Sequence, residues 1–151
     1  MLEVMDVLLA NLDEAFDRKG WHGTTLRGSL RGVDAAQALW RPADGRHNVW
    51  ELAVHCAYWK YAVRRRLTGA KRGSFVVKGS NWFASPDQPD ENAWRDVRTI
   101  LDDEHERLRA TIESLPRSAF SDRKRLRQMY GVAAHDLYHT GQIQLIKRLW
   151  R

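Results

Sequence analysis

The stretch HDLYHTGQIQLIKRLW, residues 135–150, places two histidines within an apolar pattern of helical spacing. At about 100° per residue, one face of this helix carries both histidines and the apolar side chains, namely Val132, His135, His139, Ile143, Ile146 and Leu149. The opposite face carries Asp136, Thr140, Gln144, Lys147 and Arg148. Side chains at i and i+4 of a helix point the same way, so the two imidazoles can converge on one metal ion.

The same periodicity predicts three further long helices upstream. The four predicted helices cover residues 2–18, 48–67, 91–114 and 127–150. Gly20 and Gly23 interrupt the chain after the first helix, and Leu26 and Leu30 indicate a short further helix or a continuation. Residues 41–45, with the sequence RPADG, are typical of a turn.

The connection between the second and third helices is the main topological feature of the sequence. Residues 68–89 contain three glycines and two prolines and predict a long irregular crossover, too long for a hairpin. Four amphipathic helices without period-two alternation indicate an all-α four-helix bundle, folded as a single domain over residues 1–151. A connection of this length allows the second and third helices to run parallel.

Composition narrows the classes of function. The formal net charge of +6 suggests a nucleic-acid partner, but the densest basic stretches, residues 64–66 and 123–125, lack interleaved aromatic residues. An arginine-rich solvated surface is therefore favoured, and it is compatible with an anionic small molecule.

No apolar run is long enough to span a membrane, and the acidic start MLEVMD lacks a basic leader region, so we expect a cytoplasmic protein. Cys56 is the only cysteine, which excludes an internal disulfide.

The second helix contains a third histidine on an apolar stripe. His55 shares this stripe with Leu52, Trp59 and Ala62. Facing helices of a bundle bring such side chains to the same depth, so His55 can join His135 and His139 in a site with one open coordination position. An open three-histidine site can activate a water or a thiol on a divalent ion. The alternative is that each histidine is a hydrogen-bonded core residue.

Other polar residues are candidates for supporting roles. His105 lies on the apolar face of the third helix and is either a fourth ligand or an imidazole near the ligands. Asn48, Glu51 and Gln142 lie on the inward sides of their helices, where they could orient ligands or bind substrate. His22 and His47 fall in loops, where capping or exposure explains them. Cys56 points about 100° away from His55 and is interpreted as a small buried apolar residue.

Three segments make the chain resemble a known family. They are WHGTTL at residues 21–26, HNVWELAVHCAYW at residues 47–59 and HDLYHTGQIQLIKRL at residues 135–149. The chain resembles the DinB-like superfamily, also called the DinB/YfiT-like metalloenzymes, over nearly its whole length. That family has one histidine in its second helix and an HxxxH pair in its fourth, which match His55, His135 and His139.

The resemblance implies an up-down-down-up bundle, a bound divalent ion such as zinc or nickel, and frequently a homodimer packed through helices. It also implies a small-molecule substrate, because relatives include transferases and isomerases that use a low-molecular-weight thiol such as bacillithiol or mycothiol. Metal-dependent hydrolases are a further possibility within the family. We therefore expect a metal-dependent enzyme resembling a thiol S-transferase or a hydrolase. The alternatives are a non-catalytic metal-binding stress or structural protein and, disfavoured by charge distribution, a nucleic-acid-binding protein.

Overall fold

A computed structural model describes residues 3–150 and is all-helical over that range, apart from an isolated bridge between Gly20 and Gly23. The α-helices are α1 (Val4–Phe16), α2 (Leu26–Ser29), α3 (Ala35–Leu39), α4 (Val49–Thr68), α5 (Glu91–Ser114) and α6 (Arg123–Leu149). A 3-10 helix, Arg117–Ser121, joins α5 to α6. Over residues 3–150, none of the helices has the length and apolarity that a membrane-spanning segment requires.

Side chains at the N-termini explain where the three longest helices begin. Asn48 accepts a hydrogen bond from the backbone N–H of Glu51, whose own side chain accepts from the N–H of Asn48, a reciprocal capping box. Asp90 and Asp122 cap α5 and α6 by accepting two backbone N–H groups each. Helix α4 ends at Gly69, whose φ of 72° is the left-handed conformation that glycine adopts without strain. These local signals fix the lengths of the helices that carry the site.

The long helices α1, α4, α5 and α6 correspond to the four predicted ones and pack against one another. Helix α4 packs against α5 and α6, and α1 packs against α6 and, less extensively, α5. The apolar core consists of two clusters, one containing Trp50, Trp94 and Leu101, the other Leu12, Leu108 and Met129. Burying these side chains against several helices at once is what stabilises helices of such mixed composition.

A layer of buried polar side chains lies between the two apolar clusters. Each of the four long helices contributes one member: Asp13, Lys60, His105 and Asp136. Lys60 and Asp136 are completely buried and form an ion pair, and Lys60 Nζ lies 3.4 Å from Nδ1 of His105. His105 Nε2 lies 3.7 Å from a carboxylate oxygen of Asp13. Buried charges need such partners, because an unpaired one would carry a large desolvation penalty.

The crossover, residues 69–90, is irregular as predicted, and aromatic side chains attach part of it to α4. The rings of Phe75 and Phe83 pack against Tyr58 with centroids 5.5 Å away in both cases. The Tyr61 hydroxyl accepts hydrogen bonds from the backbone N–H groups of Gly73 and Ser74. This anchoring brings residues 81 and 82 against the middle of α4, where His55 lies.

Several sequence predictions require correction. The fourth helix begins at Arg123 rather than Arg127, because Asp122 caps it, so residues 123–126, which precede the predicted helix, are its first turn. Helix α1 ends at Phe16 rather than residue 18, and its predicted start at Leu2 lies outside the described residues. The short helix predicted around Leu26 is α2, whereas α3 was not predicted.

The predicted faces of α6 also differ from those observed. Asp136 and Thr140 were assigned to the polar face but are buried, whereas Leu149 was assigned to the apolar face and is 47% exposed. The reason is that α6 contacts both α1 and α4, so two of its sides are covered. A helix buried on two sides cannot be divided into one apolar and one solvated face.

Candidate metal centre

The three predicted histidines come together between α4 and α6. The Nε2 atom of His135 lies 3.1 Å from Nε2 of His55 and 3.1 Å from Nε2 of His139. One ligand-type atom from each of the three residues lies within 4.8 Å of the others. His55 and His139 are buried and His135 is partly buried. The convergence arises because His135 and His139 are one helical turn apart and α4 faces them with His55.

Hydrogen bonds on the far side of two rings determine which nitrogen is free. His55 Nδ1 donates to the backbone carbonyl of Asn81 at 2.7 Å, and His139 Nδ1 donates to the side-chain oxygen of Gln142 at 2.6 Å. A neutral imidazole carries one proton, so the Nε2 atoms of both rings present lone pairs to the shared space. Nδ1 of His135 is buried and has no hydrogen-bond partner within the described residues.

Burial keeps these rings neutral. Desolvation lowers the pKa of His55 to about 4, against the opposing effect of the Asn81 carbonyl. Desolvation, reinforced by the other two rings, lowers the pKa of His135 to about 3. Burial also lowers the pKa of His139. Neutral imidazoles are the form in which histidine binds metal ions.

The arrangement of donor atoms fits a divalent ion. Histidine–zinc bonds are about 2.0–2.1 Å long, so two nitrogens on one ion at angles of about 90–109° are about 2.9–3.4 Å apart. Both measured Nε2–Nε2 distances of 3.1 Å fall in that interval. In the absence of an ion, a single proton on His135 Nε2 could serve only one of its two neighbours, leaving the Nε2 lone pair of the other without a donor. A cation among the three nitrogens removes this conflict.

The aromatic ring of Trp82 borders the cluster, a position that the sequence pattern does not predict. The Trp82 ring is stacked between the rings of His55 and His47, with centroid distances of 3.7 Å and 3.6 Å. Asn81, which has a φ of 63°, accepts from His55 through its backbone and from Trp59 Nε1 through its side chain. Asparagine is enriched in this left-handed conformation, and that preference is the only sequence signal that could have drawn attention to the position.

Of the residues predicted to support the site, Gln142 contacts a histidine of the cluster and the others lie further out. Glu51 forms a bidentate ion pair with Arg41 and accepts from His47 Nδ1 at 2.9 Å. Burial opposes ionisation of Glu51, but the hydrogen bonds from Arg41 and His47 outweigh it and lower its pKa. Asn48 caps α4 and donates to the hydroxyl of Ser85 at 2.9 Å. Glu51 therefore reaches the cluster only through His47 and Trp82.

The remaining histidines and the cysteine are placed as follows. His105 belongs to the buried polar layer and its ring stacks on Phe16 at 3.8 Å, away from the three converging nitrogens. His22 is exposed and its Nε2 lies 3.1 Å from the carbonyl of Glu14.

Cys56 is completely buried, and desolvation raises the pKa of its thiol. Its sulfur lies within 4.8 Å of ligand-type atoms of His135 and Asp136, so the polar layer adjoins the cluster.

The fold and the site define an all-helical protein with a buried cluster of three histidines between two of its long helices. The chain belongs to the DinB superfamily, whose family model matches residues 7–143. Comparison with curated proteins and comparison with solved structures each give no match. The matched segment contains all three histidines of the cluster, along with Asn81, Trp82 and Gln142.

Proposed function

We propose that this protein is a divalent-metal-dependent enzyme, resembling either a thiol S-transferase or a hydrolase, with His55, His135 and His139 as metal ligands. The observation that carries the proposal is the pair of 3.1 Å Nε2–Nε2 distances combined with tautomers that point lone pairs inward. Zinc and nickel are the ions proposed, because imidazole nitrogens suit both.

Lack of a fourth protein ligand supports a catalytic rather than a purely structural ion. Within residues 3–150, no further histidine, cysteine or carboxylate completes a four-member cluster around the three nitrogens. Structural zinc sites are closed by four protein ligands, whereas catalytic sites leave a position for water or substrate. When bound there, a divalent ion supplies Lewis-acid activation of a water or a thiol in that position.

The residues around the cluster have separate tasks in this proposal. The Asn81 carbonyl and the Gln142 amide oxygen hold the His55 and His139 rings in orientation. Trp82 covers one face of His55 and limits the access of water to that side. His47 stacks on the outer face of Trp82 and, with nearly half of its side chain exposed, lies at the rim where a small-molecule substrate would enter.

We further propose the up-down-down-up arrangement of a four-helix bundle for α1, α4, α5 and α6, as expected for this family. The irregular crossover of residues 69–90 is long enough to allow α4 and α5 to run parallel. A homodimer packed through α6 is supported by Tyr138 and Leu145, which lie seven residues apart on one side of the helix and are 67% and 59% exposed. Sedimentation of the native protein and of Tyr138→Glu tests the dimer, which we expect the substitution to dissociate.

Metal analysis is the primary test of the proposed function. Protein purified without an affinity tag should contain close to one divalent ion per chain, and His139→Ala should contain little. His22→Ala is the matched control, because it removes an exposed histidine outside the cluster and should retain the ion. Equal metal content in the native protein and His139→Ala would reject the metal site. Two assays then separate the reaction classes. One measures the reaction of electrophiles with low-molecular-weight thiols, and the other measures hydrolysis of ester and amide substrates.

A further inference from the structure

A basic groove lies between the second half of α4 and the first half of α6. Its volume is about 910 Å³. Six cationic side chains line it, namely Arg65, Arg66, Arg72, Lys124, Arg125 and Arg127, together with one carboxylate, Asp122. Trp59 and His135 also line the groove, so one of its ends reaches the three-histidine cluster.

The cations of this groove have no acidic partner, unlike several other arginines of the protein. Arg41, Arg64 and Arg109 each pair with a carboxylate elsewhere in the fold. None of the six groove cations has a carboxylate within salt-bridge distance among residues 3–150. Asp122 is occupied as the cap of α6, where it accepts from the backbone N–H groups of Lys124 and Arg125. The groove therefore holds a net excess of positive charge.

The first turns of α6 break a general rule of helix electrostatics. The helix dipole favours acidic residues near an N-terminus and disfavours basic ones. Helix α6 instead has no acidic residue in its first turn and begins with Arg123, Lys124 and Arg125. Arg127 follows and adds a further positive charge to the same end. Departures from local rules of this kind are expected at functional sites, and this one produces an anion-attracting surface.

We infer that the basic groove binds the anionic group, a carboxylate or a phosphate, of a small organic substrate whose reactive end lies at the three-histidine cluster. This inference rests on the proposed function, because it assigns the groove to the substrate of the metal centre. Arg127 precedes His135 by eight residues of α6, which corresponds to roughly 12 Å along a helix axis. A molecule of that length can span both sites, and arginine suits both anions because its guanidinium binds them in a bidentate manner.

Nucleic acid is a poorer fit to the same groove. Single-stranded nucleic acid needs aromatic side chains on which bases can stack. Trp59 is the aromatic residue of the groove lining, and the guanidinium of Arg66 covers one face of its ring at 5.3 Å from the centroid. Its Nε1 is also occupied, since it donates to Asn81. An oligonucleotide is therefore the competing ligand in the test below.

Gly131 allows a substitution that changes only the charge of the groove. It is a helical residue in the groove lining, and a Cβ atom placed on it would meet nothing within 4 Å. Gly131→Glu and Gly131→Gln should both fold, because glycine is the poorer helix former, and they differ only in one negative charge. Arg127→Glu and Arg148→Glu form a second matched pair, since Arg148 is exposed near the other end of α6 and does not line the groove.

The experiment is equilibrium binding to the metal-loaded protein at low ionic strength, with succinate and glycerol 3-phosphate as probes and glycerol as the uncharged control. The two anions distinguish a carboxylate from a phosphate ligand. We expect at least one of them to bind the native protein, Gly131→Gln and Arg148→Glu alike. Arg127→Glu should weaken that binding by about ten-fold or more, as expected for loss of a charge-assisted hydrogen bond. Gly131→Glu should weaken it by about ten-fold as well, because it places a negative charge in the groove that repels the anion.

Three results would overturn the inference. They are no binding of either anion to the native protein, equal binding by Gly131→Glu and Gly131→Gln, and tighter binding of a short single-stranded oligonucleotide than of both anions. His139→Ala separates this inference from the proposed function, because it should lose the metal ion and still bind the anion. Normal metal content without anion binding would reject the groove alone. Anion binding with no metal in the native protein would reject the metal centre alone.

Discussion

Nε2 of His135 lies 3.1 Å from Nε2 of His55, although the two residues are 80 positions apart in the sequence. The two helices can meet at this point only if the two rings are not both protonated, because two imidazolium rings at that distance would repel each other. Burial achieves this by lowering the pKa of both rings. Because one ring belongs to α4 and the other to α6, the proposed metal site depends on how these two helices pack.

Metal removal should destabilise the protein. An ion that binds the folded state alone contributes about 2.7 kcal/mol to the free energy of unfolding at a hundred-fold excess over its dissociation constant. We therefore expect chelator-treated protein to unfold at a lower temperature than the zinc- or nickel-loaded protein. His135→Ala should unfold at the same temperature with and without the metal. A metal-dependent increase that persists in His135→Ala would place the ion elsewhere.

Gln142 should control metal affinity through His139 rather than through a direct bond. Gln142→Leu removes the acceptor of His139 Nδ1, and loss of such a partner typically weakens metal binding about 10–100-fold. Gln142→Glu keeps an oxygen acceptor and should retain affinity. Competition with a chelator measures both variants. Because Gln142 is exposed, the unfolding free energy of the metal-free variants should change little. A large loss of stability in metal-free Gln142→Leu would show that Gln142 does more than orient His139.

The cluster of histidines was predictable because the position of each member follows from helical periodicity, which can be read from the sequence. His135 and His139 are spaced by one turn, and His55 lies on the apolar stripe of its own helix. Facing stripes meet in a bundle, so three positions were enough to predict their convergence. Asn81 and Trp82 belong to an irregular segment without periodicity, and only the anchoring of that segment by aromatic contacts brings them to His55.

The buried polar layer was not predictable for a different reason. Asp13, Lys60, His105 and Asp136 are each a single polar residue on a separate helix, and their pairing depends on how the helices are packed. The helical pattern predicts Asp136 on a solvated face, because it treats α6 as covered by other helices on one side only. The start of α6 is predicted at residue 127 rather than at Arg123, because the apolar periodicity does not show the cap that Asp122 provides.

Replacing only one member of the Lys60–Asp136 ion pair should destabilise the protein more than replacing both. Lys60→Met leaves a buried carboxylate without its cation, and such changes typically lower the free energy of unfolding by about 3–5 kcal/mol. Asp136→Leu should destabilise comparably, by leaving a buried ammonium group. The double variant removes both charges and should recover much of the loss. Urea unfolding of the four proteins measures the coupling, and additive losses in the double variant would show that the two charges act independently.

His105 should make the stability of the metal-free protein depend on pH. Desolvation, reinforced by Lys60, Arg109 and Arg27, lowers the pKa of His105 far below its value in an unfolded chain. As the pH falls below about 6.5, the unfolded state takes up a proton that the folded state does not. The stabilisation is therefore complete above that pH and is lost progressively as the pH decreases. Between pH 7 and pH 5 the contribution amounts to about 2 kcal/mol.

Replacing His105 should remove this contribution, so the stability difference between the native protein and His105→Gln should shrink by about 2 kcal/mol from pH 7 to pH 5. His105→Phe keeps a ring against Phe16 and is expected to be more stable than His105→Gln at pH 7. Both variants lack the titrating group, so their unfolding free energies should change in parallel with pH. Urea unfolding at the two pH values measures all three proteins. A difference from the native protein that stays constant across this range would mean that His105 takes up its proton over the same pH range in the folded and the unfolded state, and the polar layer would then have to hold a second positive charge beside Lys60 at pH 5.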